Sequence, residues 1–135
     1  MAAKLSDKAR DFLRGKRFAV LATLNRDGTP HLTTMWYLLE EDGTIMMNTK
    51  AGRVKDRHMR RDPRISVCVA EGYSYITLSG KVEMIEDQEI AQQDIFRLSS
   101  RYHGLDKAKI QMQNQFSKEQ RVTLRLKPDH VIEYF

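Results

Sequence analysis

The stretch "TIMMNTKAGRVKDRHMRRDPRISVCVA", Thr44 to Ala70, decides how the chain is read. It opens on a short apolar run, passes through a basic segment and closes on a second apolar run. "TIMMNT" reads as a strand, and "RISVCVA" as a buried strand with both faces covered. Between them, Gly52 to Asp62 reads as a helix, because Pro63 disfavours helical geometry at Asp62 and marks the end. The segment Lys50 to Arg64 holds seven basic and two acidic residues, a local charge of +5. The whole chain is also +5, so the other residues, 16 basic and 16 acidic, sum to zero.

Working outward, Ser6 is an N-cap before "DKARDFL", with Gly15 just past the end of that first helix. "RFAVLATL", Arg17 to Leu24, is rich in strand formers. "NRDG" then makes a turn into a returning strand, "TPHLTTMWYLL", Thr29 to Leu39. "EEDG" turns the chain into Thr44. Beyond Ala70, "YSYITLSGKVEMIE" is one long strand whose internal Gly80 marks a bulge or bend. Ala91, Ile95, Leu98 and Tyr102 fall at helical spacing after an N-cap at Asp87. The region 103–120 is polar and helical in part, and "RVTLRLKP" and "HVIEYF" are closing strands. The sum is a mainly β chain of six to seven antiparallel strands with three to four peripheral helices. Consecutive hairpins in so small a core point to a closed or split β-barrel.

At 135 residues the chain fits a single domain, 1–135, long enough to bury a core without staples. Its lone cysteine, Cys68, cannot form an internal disulfide, which suits a reducing cytoplasmic setting. No run approaches the roughly 20 apolar residues of a membrane helix, and the charged N-terminus lacks an apolar signal core. Cys68 sits in an apolar run and reads as an inert core residue. His58, His103 and His130 have no partners at metal spacing, so no metal site is expected. No hydrolase elbow is present and no residue is singled out as catalytic.

The basic helix repels itself. Arg53, Arg57 and Arg60 or Arg61 share one face, at a cost of roughly 0.2–0.5 kcal/mol per pair. Read blandly, it is a solvated face partly neutralised by Asp56 and Asp62. Its position favours a sharper reading. A strand-to-helix junction presents free N–H groups and the positive end of the helix dipole, which together form an anion site. Thr49 adds a hydroxyl, Lys50, Arg53 and Lys55 add charge, and Gly52 allows close approach. Nucleic acid is disfavoured as the anion, since no recognition motif or aromatic pair accompanies the charge. A phosphorylated small molecule fits one compact basic corner better.

The order "DG-x-P-H", then the "W-Y" pair, "T-x-x-x-R-x-K", "R-R-D-P-R" and "G-x-V-E" resembles the flavin and deazaflavin split β-barrels, the pyridoxamine-phosphate-oxidase-like superfamily. The likeness runs from Phe18 to Ile85, and the closing strands fit it too. The C-terminal arginine- and histidine-bearing substrate motif of true pyridoxamine phosphate oxidases is missing. The short chain with "GRVKDRHMRRDPR" resembles the branch that binds the deazaflavin coenzyme F-420; FMN is the alternative cofactor. The resemblance implies that Arg53 and Lys55 bind the cofactor phosphate, with Thr49 and Lys50 lining the same corner. His31, Thr33, Thr34 and Trp36 would lie along the cofactor ring or tail, although Trp36 could equally fill the core and His31 could simply be exposed. The family is dimeric, so Tyr73 and Ser74 would come from a second subunit in a homodimer. The implied activity is an oxidoreductase that uses reduced coenzyme F-420 to deliver a hydride to a small unsaturated substrate such as an enone, quinone or tetrapyrrole. The alternatives are an FMN-binding flavoprotein and a non-catalytic cofactor carrier. A cofactor that carries the chemistry agrees with the lack of protein acid–base machinery.

Overall fold

The computed structural model describes residues 3–135. Helix α1 (Asp7–Arg14) begins where Ser6 Oγ accepts the Ala9 N–H at 3.0 Å, and it buries Ala9 and Leu13. Strands β1 (Ala19–Leu24) and β2 (Pro30–Met35) form an antiparallel hairpin. Its turn closes through Gly28, whose φ of 86° only glycine adopts cheaply. After β3 (Leu38–Leu39) and β4 (Ile45–Lys50) come helix α2 (Val54–Arg61), β5 (Arg64–Glu71) and the long β6 (Ser74–Ile85). Helices α3 (Gln88–His103) and α4 (Leu105–Asn114) and a 3-10 turn (Phe116–Lys118) precede β7 (Arg121–Leu126) and β8 (His130–Tyr134). The single-domain reading of 1–135 takes in Met1 and Ala2, which lie outside the described residues. Among those described, no helix is long and apolar enough to cross a membrane.

The strands form one antiparallel sheet in the order β2-β1-β5-β6-β7-β4-β3, with β8 on the free flank of β6, curled into a split barrel with four helices around it. Strand β6 joins the two halves. Its residues Ser74–Lys81 pair with β5 and Tyr75–Ser79 with β8, while Val82–Ile85 pair with β7. Gly80 sits where its partners change. A Cβ there would lie 3.1 Å from Asp129 Oδ1 and Leu126 Cδ1 and 3.2 Å from the Lys127 carbonyl oxygen, so the crossover leaves little room for a larger residue. Gly80→Val should therefore lower stability by about 1–3 kcal/mol through overpacking, read as a lower urea midpoint with an unchanged m-value.

The "TPHLTTMWYLL" segment is two strands rather than one, because its aromatics pull the chain out of the ladder. The fully buried Tyr37 donates its hydroxyl to the Leu13 carbonyl at 2.9 Å, and burial pushes its pKa up to about 12. Tyr102 accepts the Tyr37 N–H at 3.2 Å, and Trp36 stacks on the Tyr102 ring at 5.3 Å. The chain thus leaves β1 at Met35 and joins β4 at Leu38.

The main core fills the barrel with Leu13, Leu21, Tyr37, Met47, Met59, Val67, Leu78 and Leu124. A second cluster, Met46, Ile95, Leu98 and Phe116, lies between β4 and α3, so β4 is buried on both faces. Strand β5 differs from its sequence reading. Ile65, Val67 and Val69 face the core, but Ser66 and Cys68 are out of phase with them and lie on the outer sheet face. Cys68 is half-buried there, beside Val20 and Thr77, and is not a core residue.

Candidate functional site

The junction between β4 and α2 is built as an anion cradle. Lys50 ends β4, and Gly52 turns the chain with a φ of 88°. Arg53 stands at the N-cap of α2 with no side-chain capping bond. The N–H groups of Val54, Lys55 and Asp56 donate to no acceptor among the described residues, which leaves the first turn open. The Asp56 carboxylate is already used: it accepts the Gly52 N–H at 2.7 Å and Arg60 Nε at 3.0 Å.

The rest of the basic segment divides by partner. Arg60 also pairs with Glu86 at 2.7 Å, and Arg64 with Asp62 at 2.6 Å. The Arg64 guanidinium holds the Asp62 carboxyl at about 2. Arg57 donates to the Gly52 carbonyl at 3.0 Å and Arg61 to that of Leu24. Lys50 reaches Glu119 only at 3.8 Å. The side chains of Arg53 and Lys55 have no hydrogen bond or ion pair among the described residues, although Lys55 is only 7% exposed.

The fold adds a cation that sequence spacing could not supply. Strands β4 and β7 pair so that Arg121 lies opposite Lys50. Arg121 is 5% exposed; its Nε donates to Asn48 Oδ1 at 3.0 Å and its Nη1 to Glu119 Oε1 at 2.8 Å. Its guanidinium lies over the Phe116 ring at 4.9 Å. Burial lowers the pKa of Lys55, and the charges of Arg53 and Arg121 lower it further. Burial likewise lowers that of Arg121, with Arg53 adding to the effect. Lys55 is thus a buried cation near two like charges, with no anion paired to it among the described residues. The Thr49 hydroxyl turns to the opposite, core-side face of β4 with Met47 and Val122 and is buried without a hydrogen-bond partner among the described residues.

The Lys55 shift has a consequence for stability. Its folded pKa lies below the unfolded value of 10.5, so in the window between them the unfolded chain binds more protons. Raising the pH through that window should stabilise the ligand-free fold, and Lys55→Met should abolish the rise. Chemical denaturation of both proteins from pH 7 to 10.5 checks this, with Lys55→Met expected to be the more stable at pH 7.

Lys50, Arg53 and Lys55 lie at this junction, while the Thr49 side chain lies on the core face of β4, opposite to that of Lys50. His31 packs edge-on against His58, ring centroids 5.2 Å apart, and His58 Nδ1 lies 3.0 Å from Thr23 Oγ1. Burial and then the charge of Arg61 lower the His58 pKa. Thr33 shares the face of His31, and its buried hydroxyl has no partner. Thr34 points to the opposite, outer face beside Val20. Trp36 packs against Tyr102 and the second core cluster. Tyr73, 93% exposed, lies in the β5–β6 turn, and Ser74 begins β6 beside it. The eight residues of β5 separate that turn from α2 by about 25 Å, so one chain does not bring Tyr73 or Ser74 to its own corner. Sequence reasoning missed Arg121, Asn48 and Glu119, which reach the corner only through the β4–β7 register.

The family model for pyridoxamine 5'-phosphate oxidase matches residues 5–135. The chain belongs to the pyridoxamine 5'-phosphate oxidase family. Among solved structures of this fold, a conserved hypothetical protein from Mycobacterium tuberculosis is 31% identical, with a TM-score of 0.81 over 98% of this chain and 86% of that one. An F-420 reductase is 22% identical, with a TM-score of 0.75 over 95% and 98% of the two chains. A heme storage protein from Vibrio cholerae is 18% identical, with a TM-score of 0.71 over 97% and 95%. The pyridoxamine 5'-phosphate oxidase fold thus serves proteins with different names, and the choice among activities rests on the site.

Proposed function

We propose that the corner holds the phosphate-bearing end of coenzyme F-420 and that the protein is a cytoplasmic oxidoreductase acting from the reduced coenzyme on a small unsaturated acceptor such as an enone, quinone or tetrapyrrole. One observation carries this reading: a buried, unpaired Lys55 beside Arg53 and Arg121 at an uncapped helix start. The residues fit the group, because a phosphodiester would supply a negative charge for Arg53 and Lys55 and acceptors for the open N–H groups of the first turn of α2. Lys50 adds charge at the rim, which suits a coenzyme with further anionic groups beyond its phosphate. The bound deazaflavin supplies two-electron hydride chemistry, and the protein supplies position and electrostatics. His31 and Thr33 line the inner face of β2, where the ring or tail would run; Thr34 and Trp36 would contribute at its edge. FMN, whose phosphate would fit the same cradle, is the competing cofactor and is favoured by the family's name.

The working unit is a homodimer. The outer face of β2, β1, β5, β6 and β8 presents Val20, Leu32, Tyr75, Ile132 and Tyr134 as exposed large apolar side chains. The paired row Thr34, Val20, Cys68, Thr77 and Ile132 crosses it without a charge. Such a face calls for a cover. A second copy packed there would bring its Tyr73 and Ser74 to the site.

An absorbance trace of reduced coenzyme F-420 tests the activity. The reduced coenzyme should be consumed only when an acceptor is added, oxygen alone should not oxidise it quickly, and Cys68→Ala should turn over normally. Rapid oxygen consumption with bound FMN would favour the flavoprotein. Tight binding without turnover across enones, quinones and tetrapyrroles would favour a carrier.

A further inference from the structure

Besides Asp56, which Gly52 and Arg60 already engage, the cradle contains a second anion of the protein's own. Glu119, in the link between the 3-10 turn and β7, places Oε1 2.8 Å from Arg121 Nη1 and Oε2 3.8 Å from Lys50 Nζ. Its backbone is pinned: Gln92 Nε2 donates to the Glu119 and Phe116 carbonyls, each at 2.9 Å. Among the described residues its side chain bonds only to those two cations. The carboxylate can therefore leave by rotating, without moving the chain around it.

Arg121 is held differently. Asn48 Oδ1 accepts its Nε, and Asn48 Nδ2 is fixed in turn by the Ala91 carbonyl at 2.9 Å and by Thr123 Oγ1 at 3.3 Å. Thr123 donates to Asp94 Oδ2 at 2.9 Å. Gln88 clamps the Arg121 backbone through both its N–H and its carbonyl. The Nη2 group has no bond among the described residues. Arg121 is thus a guanidinium held in place through Asn48, with Nη1 resting on the Glu119 carboxylate and Nη2 spare among the described residues.

We infer that Arg121 is a further phosphate-binding residue of this site and that Glu119 is its built-in stand-in, a carboxylate that neutralises Arg121 and Lys50 until a phosphate displaces it. The inference deepens the proposed cofactor site and rests on it for the identity of the ligand, though not for the competition itself. Physically, the carboxylate screens a cluster that would otherwise hold Lys50, Arg53, Lys55 and Arg121 without a counter-ion. It also sets a threshold: a ligand must offer the guanidinium more than Glu119 does, which a bidentate phosphate oxygen pair can.

The test is calorimetric titration of the full chain with inorganic phosphate and, separately, with FMN and coenzyme F-420. Glu119→Gln should bind inorganic phosphate about tenfold tighter than wild type, the loss of one charge-assisted competitor. Arg121→Lys keeps the charge and loses the fork, and in that background Glu119→Gln should gain much less. Glu86→Gln removes a carboxylate that pairs with Arg60 outside the cradle and should leave phosphate affinity unchanged. Thermal melting confirms that each variant is folded. An unchanged or weaker phosphate affinity in folded Glu119→Gln would overturn the inference, as would an equal gain with and without Arg121. If Glu119→Gln gains phosphate affinity while wild type binds neither FMN nor coenzyme F-420, the stand-in holds and the cofactor reading falls.

Discussion

Lys55→Ala is expected to weaken coenzyme F-420 binding at least tenfold while leaving the fold intact. A charge-assisted hydrogen bond contributes about 1.5–3 kcal/mol, equivalent to roughly ten- to a hundredfold in affinity. Lys55 stands toward the upper end, because the residue is only 7% exposed and its ammonium has no partner to lose among the described residues. Arg53→Ala should cost less, since Arg53 is exposed and its charge is better screened. The two share one ligand group and should not add fully. Folding should survive both changes: neither side chain makes a hydrogen bond within the described residues, and removing Lys55 relieves an unfavourable burial. Equilibrium titration followed by fluorescence measures the affinities. Unchanged affinity in both variants would assign the basic helix another task.

Ile132→Arg is expected to convert a homodimer into monomers. Ile132 is 61% exposed in one chain and sits mid-way along β8, in register with Thr77 in the uncharged row that crosses the outer face. A guanidinium buried there between two copies would be an uncompensated charge, costing several kcal/mol. One chain alone would solvate it freely, so the fold should remain. Because Tyr73 and Ser74 lie at the far end of β5 from α2, the monomer should also lose coenzyme affinity. Sedimentation at micromolar concentration separates the outcomes. A wild-type monomer with full affinity, or a variant that stays dimeric, would refute the shared site.

Much of the architecture could be read from local chemistry. Ser6, Asp87 and Pro63 acted where propensity places them, at helix starts and a helix end, because a cap or a missing N–H works through neighbours in sequence. Gly80 announced the bend in β6, since backbone that approaches closely leaves little room for a larger residue. The break at Trp36 and Tyr37 was hidden: it depends on α1 and Tyr102, far along the chain, overriding a good strand pattern. The outward turn of Cys68 was legible in principle, because period two sets it against Val67 and Val69, but the unbroken apolar run masked it. In the candidate corner, the contiguous part from Lys50 to Lys55 was readable as charge at a strand-to-helix junction. Arg121, Asn48 and Glu119 were not, because only the β4–β7 register joins residues some 70 positions apart.

The most direct measurement is titration of the purified protein with coenzyme F-420 and, separately, with FMN. The account predicts micromolar or tighter binding of coenzyme F-420, weakened by Lys55→Ala and stoichiometric with the two sites of a dimer. Binding of neither cofactor at micromolar concentrations would contradict it.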